Sequence, residues 1–361
     1  MRGEIKSLTG LRGVAACYVV AFHLYGNAMS DTTVFGRALL HEYLAVDLFF
    51  VLSGFVMALS YARLFERPSV RSYLVFLARR AARVYPLYVV LLCVVGAGLV
   101  FGVGGHGDPS PLGEVFALNL LLVQAWGLGY SVIVPSWSIS TELAAYLLFP
   151  ALLVVALRTG PVTAALVLGG AIAALVALGT LPTPVDFAGL RIGPLNVSWD
   201  YSPWPLVRCL LEFTIGLLAF RAATQVSRPA IVSTLAVAGI VALLAVPGAD
   251  VVLVVLFAVL IASLSPSAGP AARVLACRPV HLLGELSYAI YLLHFQLVRF
   301  ERLLPPRLAP HVGEAGARVV TQAIVLGTLL VAAVFCRRFI ELPGLAIVRR
   351  WARRLESPVP A

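Results

Sequence analysis

Apolar and polar positions along this chain alternate on the scale of whole membrane thicknesses. Runs of about 20 apolar residues, each long enough to cross a ~30 Å hydrocarbon layer as a helix, are separated by short links rich in arginine or in proline and glycine. Taken in order, the runs predict helices at 10–29, 44–62, 84–103, 132–157, 162–180, 205–220, 229–246, 251–265, 282–300 and 317–336. Ten crossings put both termini on one side. A further apolar stretch, 112–126 ("LGEVFALNLLLVQAW"), is short for a crossing and reads as an interfacial or re-entrant piece. The start, "MRGEIKSLTGLRG", leads into the first run without a small-residue cleavage site, so that run is expected to stay as a helix.

Composition adds the class. Of 361 residues, 60% are hydrophobic and 12% charged, with a mean hydropathy of +0.95, far above the apolar share of soluble domains. The expected fold is an all-α polytopic membrane protein, a bundle of about ten transmembrane helices, forming one domain over 1–343 with a short basic tail over 344–361. Charge adds sidedness. Twenty of the 27 basic residues fall on the N-terminal side of this map, and by the positive-inside rule both termini are cytoplasmic. That placement accounts for the net charge of +10 without nucleic acid; the partner is the lipid bilayer of the cell (plasma or inner) membrane, crossed many times. Cys17, Cys93, Cys209, Cys277 and Cys336 lie in or beside apolar runs with no CxxC spacing, which argues against a disulfide frame or a metal site. The opposite side receives "GVGGHGDPSP" and "LPTPVDFAGLRIGPLNVSWDYSPWP", loops suited to a polar acceptor arriving from outside, though such loops also serve as plain connectors.

Ionisable residues at membrane depth cost a few kcal/mol each on insertion scales, so each asks for a partner or a task. In "LRGVAACYVVAFH", Arg12 and His23 are eleven apart, which places both on one helix face about 16 Å apart along the axis. Arg12 reads either as a snorkelling anchor or as a ligand contact. His23 is either hydrogen-bonded to a neighbouring helix or chemically active. Asp47 opens "VDLFFVLSGF", with Ser53 a turn and a half on; it is placed to orient His23 or to satisfy its own helix terminus. Arg80 and Arg83, three apart ahead of the third run, present guanidinium forks that match phosphate oxygens, or mark topology alone. Glu142 sits in "PSWSISTELAAYLLFP" with Trp137 and Ser138, and its candidate partners are His23, Arg208 or a substrate hydroxyl. Arg208 and Glu212, four apart, are placed to neutralise each other. "LGELSYAIYLLHFQ" brings Glu285, Ser287, Tyr288, Tyr291 and His294 as a polar stripe in an otherwise apolar helix.

Taken together and in order, these stretches resemble the acyltransferase 3 family of integral membrane O-acyltransferases, which modify sugars of surface polysaccharides, lipopolysaccharide and some secreted molecules. The elements are Arg12-x10-His23, "DLFFVLSGF" (47–55), Arg80-x-x-Arg83, "WSISTE" (137–142), "LSYAIYLLH" ending at His294, and "ELP" (341–343). The resemblance implies a catalytic role for His23 and an acyl-CoA donor role for Arg80 and Arg83. Where family members often carry a second polar residue after the motif glutamate, this chain has Leu143. It also implies a one-domain transferase without the esterase-like domain that some members append.

The resulting expectation is transfer of an acyl group, acetyl first among them, from cytoplasmic acyl-CoA to a hydroxyl of a carbohydrate-containing acceptor. No cofactor is bound permanently; acyl-CoA (acetyl-CoA) is a co-substrate. His23, Asp47 and Glu142 form the catalytic set, and Arg12, Arg80 and Arg83 bind the donor. Ser53, Trp137, Ser138, Tyr288 and His294 are further candidates, and no metal is expected. His23 acts as general base or as an acyl-histidine. The alternative is a multi-pass transporter or flippase using the intramembrane His, Asp and Glu residues.

Overall fold

A computed structural model describes residues 4–25, 32–101, 110–181, 193–197, 201–266 and 268–356. These residues form helices and turns, with no strand among them. In chain order the helices are α1 (Lys6–Tyr25), α2 (Val34–Leu40), α3 (Leu44–Tyr61), α4 (Val70–Val100), α5 (Leu112–Leu121), α6 (Ser136–Leu157), α7 (Pro161–Thr180), α8 (Trp204–Ala222), α9 (Pro229–Leu243) and α10 (Asp250–Leu264). They continue with α11 (Gly269–Leu275), α12 (Arg278–Val298), α13 (Phe300–Leu303), α14 (Pro305–Cys336) and α15 (Leu342–Glu356), the last two joined by a π turn over Arg337–Glu341.

Each of the ten apolar runs is helical, but fewer qualify as membrane spans than the sequence led us to expect. Six helical stretches are long and apolar enough by composition: α1, Val34–Phe65, α4, α6, α7 and Pro305–Val348. A seventh is added if α10 and α11, bent by 89°, count as one. The shortfall has a physical reason. α8 carries Arg208, Glu212 and Arg221, α12 carries His281, Glu285 and His294, and α9 has only 15 residues. The polar residues that suggest chemistry also lower the apolar score of the helices that hold them.

Several boundaries differ from expectation, among them that of α14, which starts at Pro305 rather than 317 and passes through a break at Gly313. α4 begins at Val70 rather than 84, because Ser69 caps it, its Oγ accepting from the Ser72 amide at 3.0 Å. No glycine or proline interrupts the chain before Pro86, so the basic link is itself helical. The residues expected to end the first run, 26–29, and most of the two loops expected to face outward (102–109, 182–192 and 198–200) lie outside the described residues. α5 has 10 residues, about 15 Å of helix, half a bilayer. It stops at Leu122, which takes a left-handed φ of 55°. Asn119 then fastens the return segment: its Nδ2 donates to the Val115 and Tyr130 carbonyls at 2.9 and 3.0 Å, and its Oδ1 accepts from the Val132 amide at 3.0 Å.

Two parallel helix pairs position the site, and both depend on missing Cβ atoms. Between α1 and α12, a methyl on Gly13 would strike the Gly284 amide and one on Gly284 the Thr9 carbonyl, while one on Gly10 would strike the Leu275 carbonyl at the end of α11. In α3 and α8, Gly54 lies against the Phe213 carbonyl and Gly216 against that of Val51. In a membrane, where lipid is as apolar as leucine, such close backbone approach is a main source of helix association.

Gly216→Ala is expected to force α3 and α8 apart at a cost of about 1–3 kcal/mol, read as a lower thermal midpoint of the detergent-solubilised protein. Gly169→Ala, where a methyl meets open space, is the control that keeps the wild-type midpoint.

Candidate active site

The residues singled out from sequence fall into three adjoining groups. The first lines a cavity of about 160 Å³. Into it come Arg12 from α1, Ser53 from α3, Arg80 and Arg83 from α4, Ser138 and Glu142 from α6, and Tyr288 from α12. Seven residues scattered over 277 positions of sequence thus meet in one place.

The arginines are held by the protein itself. Arg80 donates through Nη2 to the Tyr61 hydroxyl at 2.8 Å, and its guanidinium lies over the rings of Tyr61 and Tyr146, 5.1 and 5.9 Å from their centroids. Arg83 pairs with Glu341 of the π turn at 2.8 Å and lies 5.4 Å from the Tyr288 ring. Arg12 reaches the Gly284 carbonyl at 3.4 Å, while its Nε is buried without a partner. Glu142 accepts a hydrogen bond from Ser53 Oγ. Tyr61, Tyr146 and Glu341 were not singled out from sequence. Glu341 does stand in the "ELP" motif among arginines, which was its only signal; the tyrosines carry none beyond those of ordinary core aromatics.

The second group is a histidine pair. Parallel packing of α1 on α12 brings the His23 ring to 4.9 Å from that of His294. The Nδ1 of His23 lies 3.0 Å from the Val19 carbonyl and that of His294 2.7 Å from the Tyr291 carbonyl. A carbonyl only accepts, so each Nδ1 carries the proton and each Nε2 presents a lone pair. His294 Nε2 is buried without a hydrogen-bond partner. Tyr291 stands between this pair and the cavity. It lines the cavity, shares a 2.9 Å hydrogen bond with Ser138, and its ring lies 5.9 Å from that of His294.

The third group is a buried ion cluster. Arg208 donates through Nε to Asp47 Oδ1 at 2.9 Å and through Nη2 to Asp47 Oδ2 and to the Tyr43 carbonyl at 3.1 Å. Glu212, one turn on, stands 3.5 Å from Nε, as the spacing of the two residues led us to expect, and Trp137 lies 6.0 Å beneath the guanidinium. Asp47 was expected to orient His23; the structure gives it to Arg208. Glu142 was expected to find His23, Arg208 or a substrate hydroxyl; among the described residues it instead accepts from the hydroxyl of Ser53. The reason lies in the packing: α3 runs parallel to α8, which brings the bidentate fork of Arg208 to Asp47.

With this geometry in view, comparison with known proteins is decisive. A family model described as an acyltransferase domain matches residues 5–337. The chain belongs to the acyltransferase 3 family. It is an acyl-transferring enzyme, which replaces the transporter alternative. It is 34% identical to acyltransferase MdmB of Streptomyces mycarofaciens, over 99% of this chain and 96% of that one. It is 23% identical to the peptidoglycan O-acetyltransferase OatA of Listeria monocytogenes, over 95% of this chain and 56% of OatA. A shorter match, 40% identical over 112 residues, links it to protein 2 of the picA locus of Rhizobium radiobacter. No solved structure matches.

Arg208→Met is expected to cost about 3–5 kcal/mol by leaving Asp47 and Glu212 as uncompensated buried acids, seen as loss of monodisperse protein in detergent. Adding Asp47→Asn and Glu212→Gln restores most of the loss. A single variant as stable as wild type would show that the cluster does not hold the bundle.

Proposed function

We propose that this enzyme moves an acyl group, acetyl first among them, from cytoplasmic acyl-CoA to a hydroxyl of a carbohydrate-containing acceptor: a surface glycan, an envelope glycolipid or the sugar of a secreted metabolite. In this reading the chain crosses the cell membrane ten times with both termini in the cytoplasm. The observation that carries it is the cavity where Arg12, Arg80, Arg83, Ser53, Ser138 and Glu142 converge from four helices, with the histidine pair one ring beyond. Membership of an O-acyltransferase family supports the reaction class.

The chemistry follows from the tautomers. His23 Nε2 takes the proton of the acceptor hydroxyl while that oxygen attacks the thioester carbonyl. The C–S bond breaks, and the imidazolium returns the proton to the departing thiolate. Val19 holds the base tautomer through Nδ1, in place of the carboxylate that often does so, and His294 flanks the ring. Tyr291 turns aside to join the cavity to the histidines. Arg80 and Arg83 hold the donor end, with Glu142 and Ser53 opposite. Asp47 and Trp137 act at a distance, through Arg208.

His23→Ala is expected to lower transfer by about 10²–10⁴-fold, the usual worth of a positioned base, while the protein accumulates in membranes at the wild-type level. The assay is release of free CoA from acetyl-CoA by purified membranes, with mass spectrometry of glycans and secreted metabolites to find the acylated product. Unimpaired acylation by this variant would sink the proposal. Joint substitution of Arg80→Ala and Arg83→Ala is expected to raise the KM for acetyl-CoA more than that for the acceptor.

A further inference from the structure

A second cavity, about 990 Å³, opens at the end of the bundle that carries the start of α1. Its walls come from the beginning of α1 and the ends of α3, α8 and α10, and its charged lining is Arg12, Arg63 and Arg221 against a single acid, Glu4. It meets the smaller cavity at Arg12 and Val56, which line both. We infer that this larger cavity holds the phosphorylated nucleotide end of the thioester donor, through Arg63 and Arg221, while only the acyl-thioester end passes Arg12 into the 160 Å³ cavity. The inference rests on the acyl-CoA reading above and moves the phosphates away from Arg80 and Arg83.

Size is the first reason. At the roughly 30 Å³ a water occupies in the liquid, the smaller cavity has room for on the order of five waters. That suits a thioester and a short acyl group better than a nucleotide. The larger is about six times as big.

Availability of the arginines is the second. Both cavities hold three arginines and one glutamate, but Arg83 already pairs with Glu341 and Arg80 is taken up by Tyr61 and Tyr146. Arg63 is exposed on the short turn Ala62–Phe65 and faces the larger cavity. Arg221 uses Nη1 on the Ala156 and Thr159 carbonyls, at 3.0 and 2.8 Å, which leaves its other N–H groups for a ligand. Glu4, the one acid, is occupied by Thr9 at 2.8 Å and His281 at 3.1 Å. Arg12, at the junction, has one face in each space, which fits a thin arm sliding past it.

The test compares two donors that share the thioester and differ in the phosphates, acetyl-CoA and acetyl-pantetheine, in purified membranes of the full-length enzyme. Arg63→Ala is expected to lower the ratio of kcat/KM for acetyl-CoA to that for acetyl-pantetheine by about tenfold or more, the worth of a charge-assisted hydrogen bond. Arg221→Gln should do the same. Adenosine 3′,5′-bisphosphate should compete with acetyl-CoA in the wild type and lose potency in both variants. Since Arg221 also ties down the end of α6, Arg63→Ala is the deciding variant. An unchanged donor ratio in it, or equal losses on both donors, would overturn the inference. If the wild type releases no CoA from acetyl-CoA, the proposed donor itself has failed.

Discussion

A charge inside a bilayer must be paired, because the desolvation it suffers there is worth several kcal/mol. That constraint organises this bundle. Arg208 ties α8 to α3 through Asp47, Arg83 ties α4 to the π turn through Glu341, and Arg337 ties that turn to α12 through the carboxylate and carbonyl of Glu285, both at 2.6 Å. Asp250 at the start of α10 accepts from the Tyr43 hydroxyl at 2.7 Å and the Leu195 amide at 2.8 Å, fixing a piece of connecting loop to the helices. Each of these residues becomes a link between elements distant in sequence.

Close packing supplies the complementary constraint. Backbone-to-backbone contact at Gly13 and Gly284 lets α1 and α12 lie side by side, and Gly10 admits the end of α11. Arg12 then meets α12 at Gly284 and His23 meets it at His294. The face shared by Arg12 and His23 is therefore the face turned to α12, and the polar stripe of α12 is the surface that receives it. A larger residue at any of these glycines would move the two ends of the site together.

The two cavities differ in how their arginines are engaged. In the small one, the guanidinium groups of Arg80 and Arg83 are held by Tyr61, Tyr146 and Glu341. In the large one, Arg63 is exposed and Arg221 is tied through Nη1 to backbone carbonyls. Arg12 stands where the two meet, with a buried Nε that no group among the described residues satisfies. On the proposed acyl-CoA reading, such a site would hold the charged part of the donor apart from its reacting end.

The one-dimensional pattern was enough to locate the apolar part of each long helix, though not the starts of α4 and α14, since apolar length is a local property, and to mark Arg12, His23, Arg80, Arg83 and Glu142, since ionisable residues stand out against an apolar ground. The ordered motifs identified the family for the same reason. Partnership was another matter. That Asp47 serves Arg208 rather than His23, that Arg83 meets Glu341 from 258 positions away, and that His23 faces a second histidine all depend on which helices run parallel and how closely their glycines let them approach. Those are relations between helices, decided by packing in three dimensions, and no spacing within a single helix encodes them.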